Sequence, residues 1–97
     1  MAGMIELNFE WDIRKARENR RKHRVTFPEA ATIFSDPLAV TFADPDHSSE
    51  EERCLTVGQS VAGRILIVTH TDRDERMRIV SAREVTSYER KYYEEKE

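Results

Sequence analysis

Residues 64–82 read RILIVTHTDRDERMRIVSA, two strand-like stretches around a charged hinge. RILIVTHT (64–71) is apolar on both faces in its middle, as a central strand must be. The connector DRDE leaves room only for a turn, so RMRIVSA (76–82) folds back as the antiparallel neighbour. A symmetric turn sets Thr71 opposite Arg76 and Thr69 opposite Arg78. That puts Arg76, Arg78, Thr69 and Thr71 on one face and Arg64, His70 and Ser81 on the other.

Working outward, RCLTVGQ (53–59) joins across a short connector holding Gly63, which completes a three-stranded antiparallel meander, and LAVTF (38–42) is a further strand. Downstream, Ser81-Ala82-Arg83-Glu84 has capping-box spacing and opens a last helix with Val85, Tyr88 and Tyr92 at helical intervals. Upstream, Thr26-Phe27-Pro28-Glu29 is another capping box with proline in the first turn. It starts a helix carrying Phe27, Ala30, Ala31, Ile33 and Phe34, which Asp36-Pro37 stops. Asp12 caps a first helix that runs to about His23 on few apolar positions, Ile13 and Ala16. Before it, MIELNF (4–9) alternates like a short strand. The order predicts an α+β domain spanning 1–97: two N-terminal helices, an antiparallel meander and a C-terminal helix, with the helices laid on one face of the sheet.

The 97 residues carry sixteen Lys/Arg and nineteen Asp/Glu, a formal charge of only -3, yet the signs are segregated. Arg14, Lys15, Arg17, Arg20, Arg21, Lys22 and Arg24 face one acid, Glu18, in the first helix. Asp44, Asp46 and Glu50 to Glu52 collect in a loop, and Glu94, Glu95 and Glu97 at the end. A polyanion senses the local patch rather than the sum. The lone Cys54 excludes an intramolecular disulfide and a thiolate metal cluster. With no apolar leader and no run of the roughly 20 apolar residues that a membrane span requires, the expectation is a soluble cytoplasmic protein.

Two sets of cations present themselves. One is the helix bank Arg20, Arg21, Lys22 and His23; the other is the sheet bank Arg53, Arg64, Arg76 and Arg78, with Arg83 beyond. As phosphate contacts they bind a nucleic acid; as solvated or ion-paired side chains they do nothing more. His23, His47 and His70 show no metal-ligand spacing, so no metal is expected, and His70 reads as a core histidine. Cleavage of RNA by its own 2'-hydroxyl needs a base, an acid and fixed cations. His23 or Lys22 are candidates for proton transfer and Glu52 for the base, with the arginines holding phosphate.

Three stretches then carry a likeness: FEWDIRKARENRRKHRVTFPEAATIF (9–34), DPLAVTFADPDHSSEEERCLTVG (36–58) and RIVSARE followed by ERKYYEE (78–95). They resemble the BrnT family, ribonuclease toxins of type II toxin-antitoxin pairs. The matching motifs are Trp11, Asp12, Lys15, Asn19, Lys22 and His23, the E-E-R strand entry, and the I-x-S-A-R close. The resemblance implies a compact RelE-like ribonuclease fold and cleavage of cellular RNA without a cofactor. It also implies a BrnA-like ribbon-helix-helix antitoxin, two copies with two toxins, which represses their operon by binding operator DNA. Carried over by position, the matching residues are Lys22, His23, Glu52, Arg53, Arg64, Arg78, Ser81 and Arg83. Of these, His23, Glu52, Arg64, Arg78 and Arg83 are the catalytic candidates, and Arg20, Arg21, Lys22, Arg53 and Arg76 the RNA-binding ones. The family's usual K-H-G-V becomes K-H-R-V here, so Arg24 stands where a left-handed helix end would cost an ordinary residue about 1 kcal/mol. A passive nucleic-acid-binding module and a purely partner-binding protein remain as alternatives.

Overall fold

The computed structural model of the chain describes residues 8–44, 53–73 and 75–95. Five strands form one sheet: β1 (Asn8–Glu10), β2 (Val40–Ala43), β3 (Arg53–Gln59), β4 (Ile65–Arg73) and β5 (Arg76–Glu84). Their spatial order is β1-β5-β4-β3-β2. The meander has four strands, because β2 pairs antiparallel with β3 from Val40 opposite Val57 to Ala43 opposite Cys54. The sheet is mixed, since β1 lies parallel to β5. Of the expected leading strand 4–9, residues 4–7 lie outside the described residues.

Three α-helices are described: α1 (Ile13–His23), α2 (Phe27–Ala31) and α3 (Ser87–Glu95). Asp12 caps α1 by accepting from the N–H groups of Arg14 and Lys15 at 2.7 and 3.3 Å. Thr26 caps α2 through the Glu29 N–H. A 3₁₀ turn, Thr32–Ser35, extends α2 towards Asp36.

The helices lie on both faces of the sheet, which corrects the expectation of one. On one face Val25, Phe27, Ala30 and Ile33 pack on Leu66, Val68, Ile79 and Ala82. On the other, Tyr93 of α3 packs with Val57 and Ile65, flanked by Ile67 and Val85. The reason is in β4 itself: Leu66 and Val68 alternate with Ile65 and Ile67, and both apolar sets must leave water. Gly58 lets the 3₁₀ turn approach β3, since a Cβ there would stand 3.1 Å from Ile33 and Ala39 atoms.

Two further expectations are corrected. Ser81 to Glu84 do not start the last helix; they are strand, with Ala82 opposite Val68 and Glu84 opposite Leu66. The real capping box is Thr86 with Glu89, whose side chains accept each other's backbone N–H at 3.1 and 2.9 Å. Both tetrads fit the pattern, and burial of Ala82 in the core decides between them. The hairpin register also differs: Thr71 faces Arg78, Arg73 faces Arg76, and a bulge between Thr69 and His70 sets Thr69 opposite Ser81. Arg76, Arg78, Thr69 and Thr71 still share a face. Ser81 joins them because the bulge adds one residue to β5 and inverts the alternation beyond it.

Candidate active site at the arginine end of the sheet

Strand alternation builds the site. In β1, Phe9 turns into the α2 face against Phe34, so Glu10 turns to the opposite face. The parallel pairing then sets Glu10 beside Arg78 and Asn8 beside Arg76. Glu10 accepts a hydrogen bond from Arg78 Nη1 at 3.2 Å. Its carboxylate also lies 3.6 Å from Arg76 Nη1 and 3.7 Å from Arg73 Nη1. Asn8, Glu10, Arg73, Glu75 and Arg76 line an open cleft there. The helix α3 covers the other half of this face, over Val57 and Ile65.

One carboxylate cannot use up that many donors. Glu10 offers roughly four lone-pair sites, while the guanidiniums of Arg76 and Arg78 together carry about ten N–H donors. The Arg76 side chain is 62% exposed, so an anion from solvent can reach it. Across the sheet, Thr71 stands between Arg78 and Arg53, its register partners on either side. Two strand spacings separate those arginines, on the order of 10 Å. Thr71 is buried, and its Oγ1 has no hydrogen-bond partner among the described residues. Such an orphaned hydroxyl is uncommon in a folded protein. The field of Arg78 reaches Asp12, whose carboxyl is held below its usual range chiefly by the Arg14 and Lys15 N–H groups.

The model of the ribonuclease toxin BrnT of type II toxin-antitoxin systems matches residues 11–89. The chain belongs to the BrnT family. Among solved structures, the Brucella abortus ribonuclease toxin BrnT has a similar fold, with a TM-score of 0.62 at 18% identity. The match covers 84% of this chain and all of that one. No curated protein sequence matches. Membership in the BrnT family implies a ribonuclease toxin with an RNA substrate and an antitoxin partner.

The candidate catalytic and RNA-binding residues fall into separate places. Arg53, Arg76 and Arg78 share the arginine face. Arg83 does not point into the cleft's cluster: it forms two 2.9 Å hydrogen bonds to Glu89 and ties α3 to β5. The Arg83 guanidinium and the Thr86 N–H pull the Glu89 carboxyl down to about 2. Arg64 binds Glu29 through two nitrogens and donates to the Arg24 carbonyl at 3.0 Å, closing the α1–α2 junction against the β3–β4 turn. Its guanidinium lowers the Glu29 pKa, aided by the Ser60 hydroxyl and opposed by burial.

The helix bank sits elsewhere. Arg20, Arg21, Lys22 and His23 form the last turn of α1, exposed, with Arg21 and Lys22 paired to Glu18 at 2.7 and 3.5 Å. The helix packs on the α2 face and starts near Arg78; eleven residues of rise carry His23 about 16 Å along its axis. The structure therefore does not bring His23 and Arg78 together. Glu52 lies outside the described residues. Arg24 takes the left-handed conformation, φ 60° and ψ 33°, so the glycine position of the family pattern is kept with an arginine in it.

Two contributors escape a reading of the sequence. Glu10 is one, because nothing local announces that β1 pairs with β5. Asn19 is the other: buried in mid-helix, it donates to the Val25 and Ala82 carbonyls and accepts from the Ala82 N–H. A lone amide among seven cations and one acid was the available signal. His70 is a core histidine, its Nε2 hydrogen-bonded to Thr56 at 2.8 Å and its ring edge-on to Phe34. Burial pushes its pKa down, and Asp72 opposes the shift.

Proposed function

We propose that this chain is the toxin of a type II pair and cleaves cellular RNA without a metal ion, at the arginine face around Glu10, to arrest growth. In this reading residues 1–97 act as one RelE-like toxin domain in the cytoplasm. A BrnA-like ribbon-helix-helix antitoxin, two copies with two toxins, masks it and represses the shared operon at operator DNA. The observation that carries the reading is the gathering of Arg73, Arg76 and Arg78 about Glu10 on an open face. Fixed guanidiniums of this kind bind a phosphodiester and stabilise the extra negative charge on phosphorus when a 2'-oxygen attacks. No helix among the described residues is long and apolar enough to cross a membrane.

In this reading Arg76 and Arg78 bind the phosphate, with Arg53 as a further contact on the same face. Arg64 and Arg83 act on RNA only indirectly in this reading, by fixing the helices. His23 with Arg20, Arg21 and Lys22 serves as part of the antitoxin surface.

The test is incubation of the purified chain with mixed single-stranded RNA in excess EDTA. The expected products end in 2',3'-cyclic phosphate and 5'-hydroxyl. Intact RNA that is nevertheless bound in a salt-sensitive way would reduce the protein to a passive binding module.

A further inference from the structure

We infer that Glu10 is the base that takes the proton from the attacking 2'-hydroxyl. The inference rests on the RNA-cleavage reading above and names a residue within that site.

A base for this reaction must sit beside the phosphate, because the 2'-oxygen that it deprotonates is the atom that attacks phosphorus. Glu10 lies within 3.2 to 3.7 Å of the guanidiniums of Arg73, Arg76 and Arg78, and Arg76 and Arg78 are the two that would hold that phosphate. Its side chain is 25% exposed, reachable from the cleft yet fixed by its neighbours. Several other carboxylates and both described histidines are committed or placed elsewhere. Glu29 and Glu89 are bound to Arg64 and Arg83. Asp12 accepts the first N–H groups of α1, and Asp36 binds Tyr93 and the Gln59 N–H. His70 is buried on the opposite side of the sheet, against Phe34. His23 is at the far end of α1. Glu75, exposed and lining the same cleft, is the rival, and Glu94, bonded to Arg90 on α3, is the comparison outside it.

The step balances as follows. A Glu10 carboxylate oxygen accepts the 2'-hydroxyl proton, O2' bonds to phosphorus, and the bond from phosphorus to O5' breaks. The leaving O5' takes a proton from water in the open cleft, and the hydroxide so formed removes the proton from Glu10. Arg76 and Arg78 hold the non-bridging oxygens throughout. The products are a 2',3'-cyclic phosphate and a 5'-hydroxyl, with Glu10 regenerated.

Glu10 also competes with RNA for the guanidiniums, which gives the inference a signature that a structural ion pair lacks. Neutralising it must slow cleavage and, at the same time, leave RNA binding as tight or tighter.

The experiment compares the full chain with Glu10→Gln, Glu10→Asp, Glu75→Gln and, outside the cleft, Glu94→Gln. Binding is measured with an oligonucleotide bearing 2'-deoxy sugars, which cannot be cut, and cleavage by single-turnover rates on the matching RNA. The expected result is Glu10→Gln slower by about 100-fold or more with undiminished affinity, a smaller loss in Glu75→Gln, and Glu94→Gln within about 3-fold of wild type. Glu10→Gln cutting within that same small range overturns the inference. Where circular dichroism shows Glu10→Gln unfolded, Glu10→Asp decides: a folded protein slowed about 10-fold with binding kept supports a displaced base, and wild-type speed rejects it. Wild-type protein that leaves RNA whole removes the cleavage reading and this inference with it. A wild type that cuts beside an equally active Glu10→Gln removes only Glu10.

Discussion

Arg64 and Arg78 flank the same sheet and look alike in the sequence, but their surroundings differ. Arg64 has its charge matched and its donors used: two nitrogens on Glu29, a bond to the Arg24 carbonyl, and Glu84 at 3.9 Å. Arg78 shares the Glu10 carboxylate with Arg73 and Arg76 beside an open cleft. Where an arginine's capacity is consumed by the fold, its removal should be felt as lost stability. Where several arginines crowd one acid, the surplus is available to an anion, and removal should be felt as lost function.

The sharpest way to break the contrast is Arg78→Ala. On the proposed reading, single-turnover RNA cleavage falls by about 10² to 10³, while urea unfolding shifts by less than about 1 kcal/mol. Arg64→Ala should do the reverse. It strands the half-buried Glu29 carboxylate and the Arg24 carbonyl, and chemical denaturation should show a loss of about 3 kcal/mol, with cleavage per folded molecule within a few-fold of wild type.

A smaller effect comes from pH. The Glu89 carboxyl ordinarily titrates near 4.5 and is held at about 2 in the folded chain. Its folded pKa is depressed, so its stabilisation is present above 4.5 and drains as pH falls from 4.5 to 2. Its partial exposure limits the loss to about 2 kcal/mol. Glu89→Gln should flatten that part of a stability-against-pH curve. His70, lowered by burial, adds a separate decline that begins as pH falls below its ordinary 6.5.

Arg24→Gly should raise stability by about 1 kcal/mol, because glycine takes the left-handed helix end without strain and the carbonyl that Arg64 binds is unchanged. A melting temperature that does not rise would mean that the arginine side chain compensates for the strain. The smallest effect concerns the helix bank. Replacing Arg20 and Arg21 together should leave the salt dependence of RNA binding nearly unchanged, whereas Arg76→Ala should reduce its slope by about 0.7. The opposite pattern would move the RNA onto α1.

Much of the fold was readable because its signals are local. Asp12 and Thr26 are caps within hydrogen-bond reach of their own helices, and the double-sided apolar run of β4 identifies a central strand. The same run implies cover on both faces, yet nothing local says that α3 crosses to the second one. The misplaced start of α3 came from two tetrads with the same spacing, 81–84 and 86–89; only long-range pairing with β4 separates them. The bulge at Thr69/His70 likewise has no proline or glycine to announce it. At the candidate site, the common face of Arg76 and Arg78 followed from strand alternation. Glu10 did not, because its contact with Arg78 spans 68 residues and depends on a three-residue parallel strand. Arg64 and Arg83 were grouped with Arg78 because charge shows in a sequence and its consumption does not. Glu29 reads only as a capping residue, and Glu89 has no role in the sequence beyond the stretch ERKYYEE.

The most direct measurement sets Arg78→Ala beside Arg64→Ala, with RNA cleavage in excess EDTA and unfolding free energy determined on the same samples. The account predicts a crossing: Arg78→Ala stable and inactive, Arg64→Ala destabilised and, where folded, active. Two variants that lose activity in proportion to their stability, or an Arg78→Ala that cuts like wild type, would contradict it.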